Sequence, residues 1–513
     1  MGIFIRHVLD RMILGLVALT LVGAMVSTNL INTRQFGLIL TTVFVLAFIL
    51  IGLRVPQARL IKWLAWLKQP WFLILLVSGY QIALLIGLST QVGYDAGTVL
   101  STAMGAHNDY YFSVNPNNLG LLFIERVLFL LAQALGLANF KLILNGVNLV
   151  LIDAAIFLIG LTLKTYLHKK QHWSLLPLCF LLAPWIVVFY SDTAVLVFVA
   201  LMILLVYTGA QRVKQPAYPL KKLIGFSLLF GGATFFAYIL KPSAIIFVLA
   251  VVLELLYCLV WSPQKQYWRA LLFSRRVLIL FAVTWLTFGG LKLTEQVILS
   301  QQTLVSVNQE KAMLPSHFVL MGMNPKTGGG YSGADYNRSS SYPDPKSQQR
   351  ANLRLIKQRL QHFGVVGYIK FLIHKNYNNS SDGTLGWSND NQLGEPSLKQ
   401  HHFIRSFFFI YGSRQAVYFV AAQIIWIGIL LGVIFSWLDS SVFARSLRLS
   451  LFGTLLFLLL FEGGRSRYLI QALPMIYILA VIGWTRVGAS HLLTLDWRVG
   501  DRLVTHLFRR REY

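Results

Sequence analysis

Residues 189–244 read FYSDTAVLVFVALMILLVYTGAQRVKQPAYPLKKLIGFSLLFGGATFFAYILKPSA. Two apolar runs, 193–209 and 223–240, flank a hairpin that carries Arg212, Lys214, Lys221 and Lys222. The hydrocarbon core of a bilayer takes about 20 helical residues to cross, and basic hairpins stay on the cytoplasmic side. Each run therefore reads as a transmembrane helix. The far ends of the two helices carry an acid, Asp192, and a base, Lys241, which precedes Pro242.

The rest of the chain repeats this pattern. Of its 513 residues 56% are hydrophobic and 12% charged, against about 45–50% and 25% in soluble domains. That balance excludes a soluble enzyme. Forty-five Lys and Arg stand against 19 Asp and Glu, a formal charge of +26. A nucleic-acid binder would gather such charge on one polar face, whereas here it punctuates apolar runs, so the partner implied is a membrane of anionic lipids and no nucleic acid. Cys179 and Cys258 lie within apolar runs, which leaves no disulfide framework and no thiolate metal site. Arg6 and Arg11 precede a first apolar run that is long for a signal peptide and lacks a small-residue cleavage site, so a retained first span is expected.

Spans are predicted at 12–30, 36–53, 71–90, 142–163, 174–190, 193–209, 223–240, 243–261, 277–294, 415–436, 449–461 and 469–485. Residues 119–136 form a thirteenth apolar stretch, but Glu125 and Arg126 sit near its middle, where charge is costly in a bilayer. It is read as interfacial or re-entrant. With that segment not crossing, Arg54, Lys68, Lys164, Lys170, Arg212, Lys222, Lys265, Arg276 and Arg509–Arg511 all face the cytoplasm. The fold class is an all-α polytopic membrane protein of about 12 transmembrane helices (11–13), with juxtamembrane helices in an early outer loop and one large outer loop. Both termini are expected in the cytoplasm, in a multi-pass protein of the cell membrane.

Three regions follow: 1–294, transmembrane, with outer loop 91–141; 295–414, a large extracytoplasmic loop; and 415–513, C-terminal helices with a basic cytoplasmic tail. Within the large loop, 328–345 (GGGYSGADYNRSSSYPDP) reads as irregular and mobile, and 346–374 as an amphipathic helix on the membrane surface.

Acidic residues are scarce, so their positions carry information. Asp95, in VGYDAGTVLSTAMGAHNDYYF, lies at the outer mouth of the third span. A carboxylate there suits a general base that is partly desolvated yet reaches an aqueous acceptor, and equally a helix N-cap. Asp109 follows in a polar, aromatic, Asn-rich loop suited to binding a sugar, or to simple turn chemistry. Asp192 faces the same side, either as cap or as functional group. Lys241, Arg465 and Arg467 are cations in short outer turns, where the charge bias disfavours them. Interfacial snorkelling is the plain reading of each, and joint binding of a lipid phosphate the functional one. Asp153 and Glu254 fall inside spans, as proton relays or as groups turned to a polar interior.

Taken together, the Asp95 loop, the amphipathic stretches of 96–136, the Asp192 turn, the Lys241-Pro242 turn, the large late loop and Arg467-Tyr468 with Pro474 resemble the C-type superfamily of integral-membrane glycosyltransferases. The pattern is most similar to bacterial relatives of the dolichyl-phosphate-mannose protein mannosyltransferases. Two more spans precede Asp95 than in the simplest family pattern. The resemblance implies a polyprenyl-phosphate sugar donor and a glycan, lipid or protein acceptor. It makes Asp95 the catalytic base, and Asp109, Asp192, Lys241, Arg465, Arg467 and Tyr468 substrate-binding. No cofactor is required by that scheme, and dependence on a divalent metal stays open. The competing readings are a transporter or flippase of lipid-linked glycans, and a non-catalytic membrane protein of envelope assembly.

Overall fold

The computed structural model describes residues 2–31, 69–89, 93–168, 173–387, 402–461 and 463–489. Among these the regular elements are all helical, and eleven helices are long and apolar enough to cross a membrane. The expected span 36–53 and the basic tail at 509–511 lie outside the described residues.

The helices that position the site are α1 (Gly2–Met25), α2 (Pro70–Leu88), α3 (Tyr94–Ala103), α4 (Leu119–Ala134), α5 (Phe140–Leu167), α6 (Leu176–Leu182), α7 (Leu196–Val213), α8 (Leu220–Leu240), α9 (Ile246–Val260), α10 (Arg275–Gln301), α11 (Pro315–Gly322), α12 (Gly333–Ser340), α13 (Pro345–Ser380), α14 (Gln415–Phe435), α15 (Val442–Leu460) and α16 (Leu473–Ala489). The core is built on α5, α7, α14 and α16. At the crossing of α14 and α16, Gly483 meets the backbone of Gly432, a contact that a side chain would block. By contrast α10 buries none of its residues, as expected of a peripheral helix whose apolar surface faces lipid.

Contacts along α5 and α7 fix the topology. Near the start of α5, the Asn148 amide nitrogen lies 2.9, 2.9 and 3.1 Å from the carbonyls of Trp185, Ile186 and Val188, just ahead of α7. Near their last turns Tyr166 and Tyr207 pack edge to face at 5.3 Å. The two helices run parallel, so the chain between them must return across the bundle. Residues 173–187 make that return, with Leu175 against Gly160 near one end and Phe180 between Tyr80 and Tyr418 near the other.

The segment expected as an ordinary span at 174–190 is thus a broken one. It comprises α6 and a 3₁₀ turn, Ala183–Val187. Pro184 interrupts the helix, and freed carbonyls in a bilayer need a new donor, which Asn148 supplies.

The stretch 116–134 behaves in the opposite way. It has the length and hydropathy to cross, yet both its ends lie at one end of the bundle. Gly120 touches the Ile239 carbonyl at the last turn of α8, while Phe129 packs on Phe140, the first residue of α5, at 5.1 Å. Arg126 donates to the Ala103 carbonyl, 2.9 Å, and so ties α4 along α3. The helix lies across the bundle end, as its central charges led one to expect.

The large loop departs from its sequence reading in two places. The stretch 328–345 is ordered around helix α12, whose Asp335 is buried and paired bidentately with Arg359 at 2.7 and 3.0 Å. A short buried core, His317–Ser339–Asn352, holds α11, α12 and α13 together. Helix α13 does not simply rest on a membrane surface. It kinks at Gly364 (φ +59°), and beyond the kink Phe371, Lys375, Asn376, Asn379 and Ser380 are buried against α1 and α15. Glycine is the residue that tolerates this left-handed conformation.

Candidate functional site

The site forms at the bundle end where α3 begins. Asp95 stands in the first turn of α3 and is exposed. Tyr94 before it adopts a left-handed φ of +53°, an uncommon conformation for an aromatic residue. The Tyr190 hydroxyl donates to Asp95 Oδ2 at 3.3 Å, and Tyr111 faces the same carboxylate while its hydroxyl accepts from Asn118 at 2.6 Å. Burial, and next the Asp95 charge, hold both phenols above their ordinary range, so both remain protonated donors towards Asp95.

Asp192 is 1% exposed in the turn that starts the α7 segment. Lys241, at the end of α8, donates to its Oδ1, and Arg467 Nε lies 3.1 Å from its Oδ2. The arginine approach is an ion contact at an angle too poor for a hydrogen bond. Arg467 also lies over the Tyr190 ring at 5.5 Å and the Tyr468 ring at 5.6 Å, and Lys241 over Tyr468 at 5.1 Å. A unit pair about 4 Å apart gains about 4 kcal/mol at an effective dielectric of about 20, while burial costs several kcal/mol per ion. One cation would roughly offset one carboxylate, and here two flank it.

The structure therefore brings Asp95, Asp192, Lys241, Arg467 and Tyr468 into one constellation, with Tyr190 as its centre. Arg465 is half-buried at the head of the same 3₁₀ turn, Ser466–Ala472. Asp109 takes a separate place: its Oδ1 accepts from the Ser306 backbone at 3.0 Å, and Asn308 N donates to Ser113 at 2.9 Å, which pins the segment leaving α10 against the early loop. Of the acids within spans, Asp153 accepts from Gln81 at 2.6 Å, and Glu254 is held by Arg445 at 2.7 Å and Arg6 at 3.4 Å at the opposite end.

The turn bearing Arg467 is clasped by the buried half of α13, which sequence reasoning missed. Lys375 Nζ, fully buried, donates to the carbonyls of Gly322 (2.6 Å), Leu459 (3.0 Å) and Phe461 (2.5 Å), the last two at the frayed end of α15. Asn379 accepts from Gly464 N and donates to the Leu458 carbonyl at 2.9 Å. Beyond α13, Asp382 organises a tight turn by accepting from Thr384 N, Gly386 N and Asn29 at 2.8, 2.9 and 2.7 Å. Gly386 (φ +85°) presses on Arg467, where a Cβ would stand 2.9 Å from its backbone nitrogen. The only hint in the sequence was polarity, NYNNSSDGT at 376–384, unusual beside an apolar bundle. Tyr190 had a clearer signal, since it stands two residues before Asp192.

A family model described as a conserved hypothetical integral membrane protein matches residues 2–487. The chain belongs to this family. No curated protein and no solved structure matches it. For this integral membrane family, the constellation around Tyr190 is the place where the polar residues of four separate segments meet at one end of an apolar bundle.

Proposed function

We propose that this protein is an integral-membrane glycosyltransferase, moving a sugar from a polyprenyl-phosphate donor to an acceptor on the extracytoplasmic side. The observation that carries this reading is the two-sided use of Tyr190: its hydroxyl meets the exposed Asp95 carboxylate, and its ring face carries Arg467, itself joined through Asp192 to Lys241. A base and a cationic cradle meet the same buried tyrosine, one at its hydroxyl and the other over its ring face. Displacement at an anomeric carbon needs that arrangement.

In the reaction, the acceptor O–H gives its proton to Asp95 as the new O–C1 bond forms. The C1–O bond to phosphate breaks with its electron pair, and the lipid phosphate leaves towards Lys241 and Arg467. Arg supplies directional donors and Lys a point charge. A lipid donor accounts for a site at the bundle end, because its tail stays in hydrocarbon while the acceptor arrives from water. Charge supports the orientation: Lys164, Arg212, Lys214, Lys265 and Arg276 lie at or beyond the opposite ends of α5, α7, α9 and α10, and the bias towards cytoplasmic Lys and Arg favours Asp95 on the outer side.

Cells lacking the protein, complemented with wild type or Asp95→Asn, supply the test through mass spectrometry of extracted polyprenyl lipids. The deletion and Asp95→Asn strains should accumulate a phosphate-linked monosaccharide that wild type consumes. An unchanged lipid profile, or full rescue by Asp95→Asn, would overturn the proposal.

A further inference from the structure

The mechanism above uses the buried tyrosines and leaves an exposed set unexplained. Tyr110 is 53% and Tyr331 52% exposed, and Tyr336 is half-buried between them. Tyr331 and Tyr336 have ring centroids 6.2 Å apart. Tyr336 in turn meets Tyr110 through their phenols and lies within the field of Asp95. Lys311 stands over Tyr110 at 5.6 Å. The three rings come from two segments more than two hundred residues apart, the early loop and α12 with its approach, and Tyr336 joins the other two beside Asp95.

We infer that this cluster is a carbohydrate-binding platform, and that the acceptor of the proposed transfer is itself a glycan. An interfacial aromatic belt would spread around the perimeter of the bundle. These rings instead gather around Tyr336, and the elements that carry them belong to the polar loops. Each presents a flat π face, which receives the electropositive C–H edges of a sugar ring, and a hydroxyl that hydrogen-bonds beside it. Tyrosine offers this area with few rotors to freeze. The placement of the platform also suits its use, because Tyr336, which Tyr331 and Tyr110 both meet, is the ring within the field of Asp95. This inference rests on the proposed transferase reading for the word acceptor, but binding is measured without turnover.

Saturation-transfer NMR on the full-length protein in nanodiscs, free of glycoside detergents, provides the test. The probes are maltotetraose, mannotetraose, chitotetraose and a Ser/Thr-rich peptide. At least one oligosaccharide should receive saturation. The signal should fall at least fivefold in Tyr110→Ala and Tyr331→Ala, and persist in Tyr110→Phe, Tyr331→Phe and Asp95→Asn. Circular dichroism of each variant separates lost binding from lost fold. Binding of the peptide alone, of no probe, or of sugar with undiminished strength in a folded Tyr110→Ala/Tyr331→Ala double variant would overturn the platform. Sugar binding together with unimpaired lipid turnover in Asp95→Asn would leave the platform standing and remove the catalytic base.

Discussion

Lys375 shows how much a single side chain can hold when water is excluded. Three carbonyls from two helix ends converge on its ammonium, so replacing it by methionine keeps the volume and removes every donor. Each stranded acceptor costs about 1–3 kcal/mol. Lys375→Met should therefore lower the thermal midpoint of the purified protein by several degrees, and an unchanged midpoint would show that the contacts are replaceable. His317 acts in the other direction. Burial lowers its pKa to about 4, with Nδ1 2.8 Å from the Ser339 hydroxyl. The unfolded chain takes up this proton at a pKa near 6.5 and the folded one only near 4. The stability that its neutral form provides is complete above the unfolded pKa and is lost as pH falls through that window. Limited proteolysis of the 302–387 loop should accelerate from pH 7 to pH 4.5 in wild type, and His317→Gln should flatten that slope.

At the scale of elements, apolar periodicity was readable wherever a helix is continuous, as in α7 and α8. It failed where a neighbour repairs the backbone: the return at 173–187 is interrupted by Pro184, and what makes it viable is Asn148, far away in sequence. Length misled in the converse case of α4, and its central Glu125 and Arg126 were the better guide. The ordered stretch around α12 was hidden because Gly and Ser suggest mobility, while the Asp335–Arg359 pair that orders it is a tertiary contact. For the site, Asp95, Asp192, Lys241 and Arg467 were visible as charges in improbable places. Tyr468 came with the Arg467 turn, whereas Tyr111 and Tyr190 were not singled out, since an aromatic in a membrane protein has many ordinary reasons to be there. The placement of α4 is open to direct test with single cysteines and an impermeant maleimide on intact cells. Native Cys179 and Cys258 are buried and give little background. Exposed Ser101→Cys and Ala138→Cys, on either side of α4, should both label, and Ser440→Cys should not. Labelling of Ser101→Cys without Ala138→Cys would mean that α4 crosses.

Across the whole molecule, two ends of one bundle carry different kinds of polarity. The end away from Asp95 is fastened by ion pairs, with Arg486 on Asp439 at 2.8 Å and Arg445 on Glu254 at 2.7 Å. There burial raises the Asp439 carboxyl, but hydrogen bonds from Ser441, Tyr166 and Arg486 outweigh it and hold the group below the usual range. The Asp95 end instead exposes one carboxylate and buries another between two cations. Asp192 draws its two cations from positions 241 and 467, one from the middle of the chain and one near its last helix. During synthesis Asp95, Asp192 and Lys241 are therefore all made long before Arg467 exists. The constellation is therefore incomplete on the ribosome-bound chain until the turn before α16 has supplied its arginine.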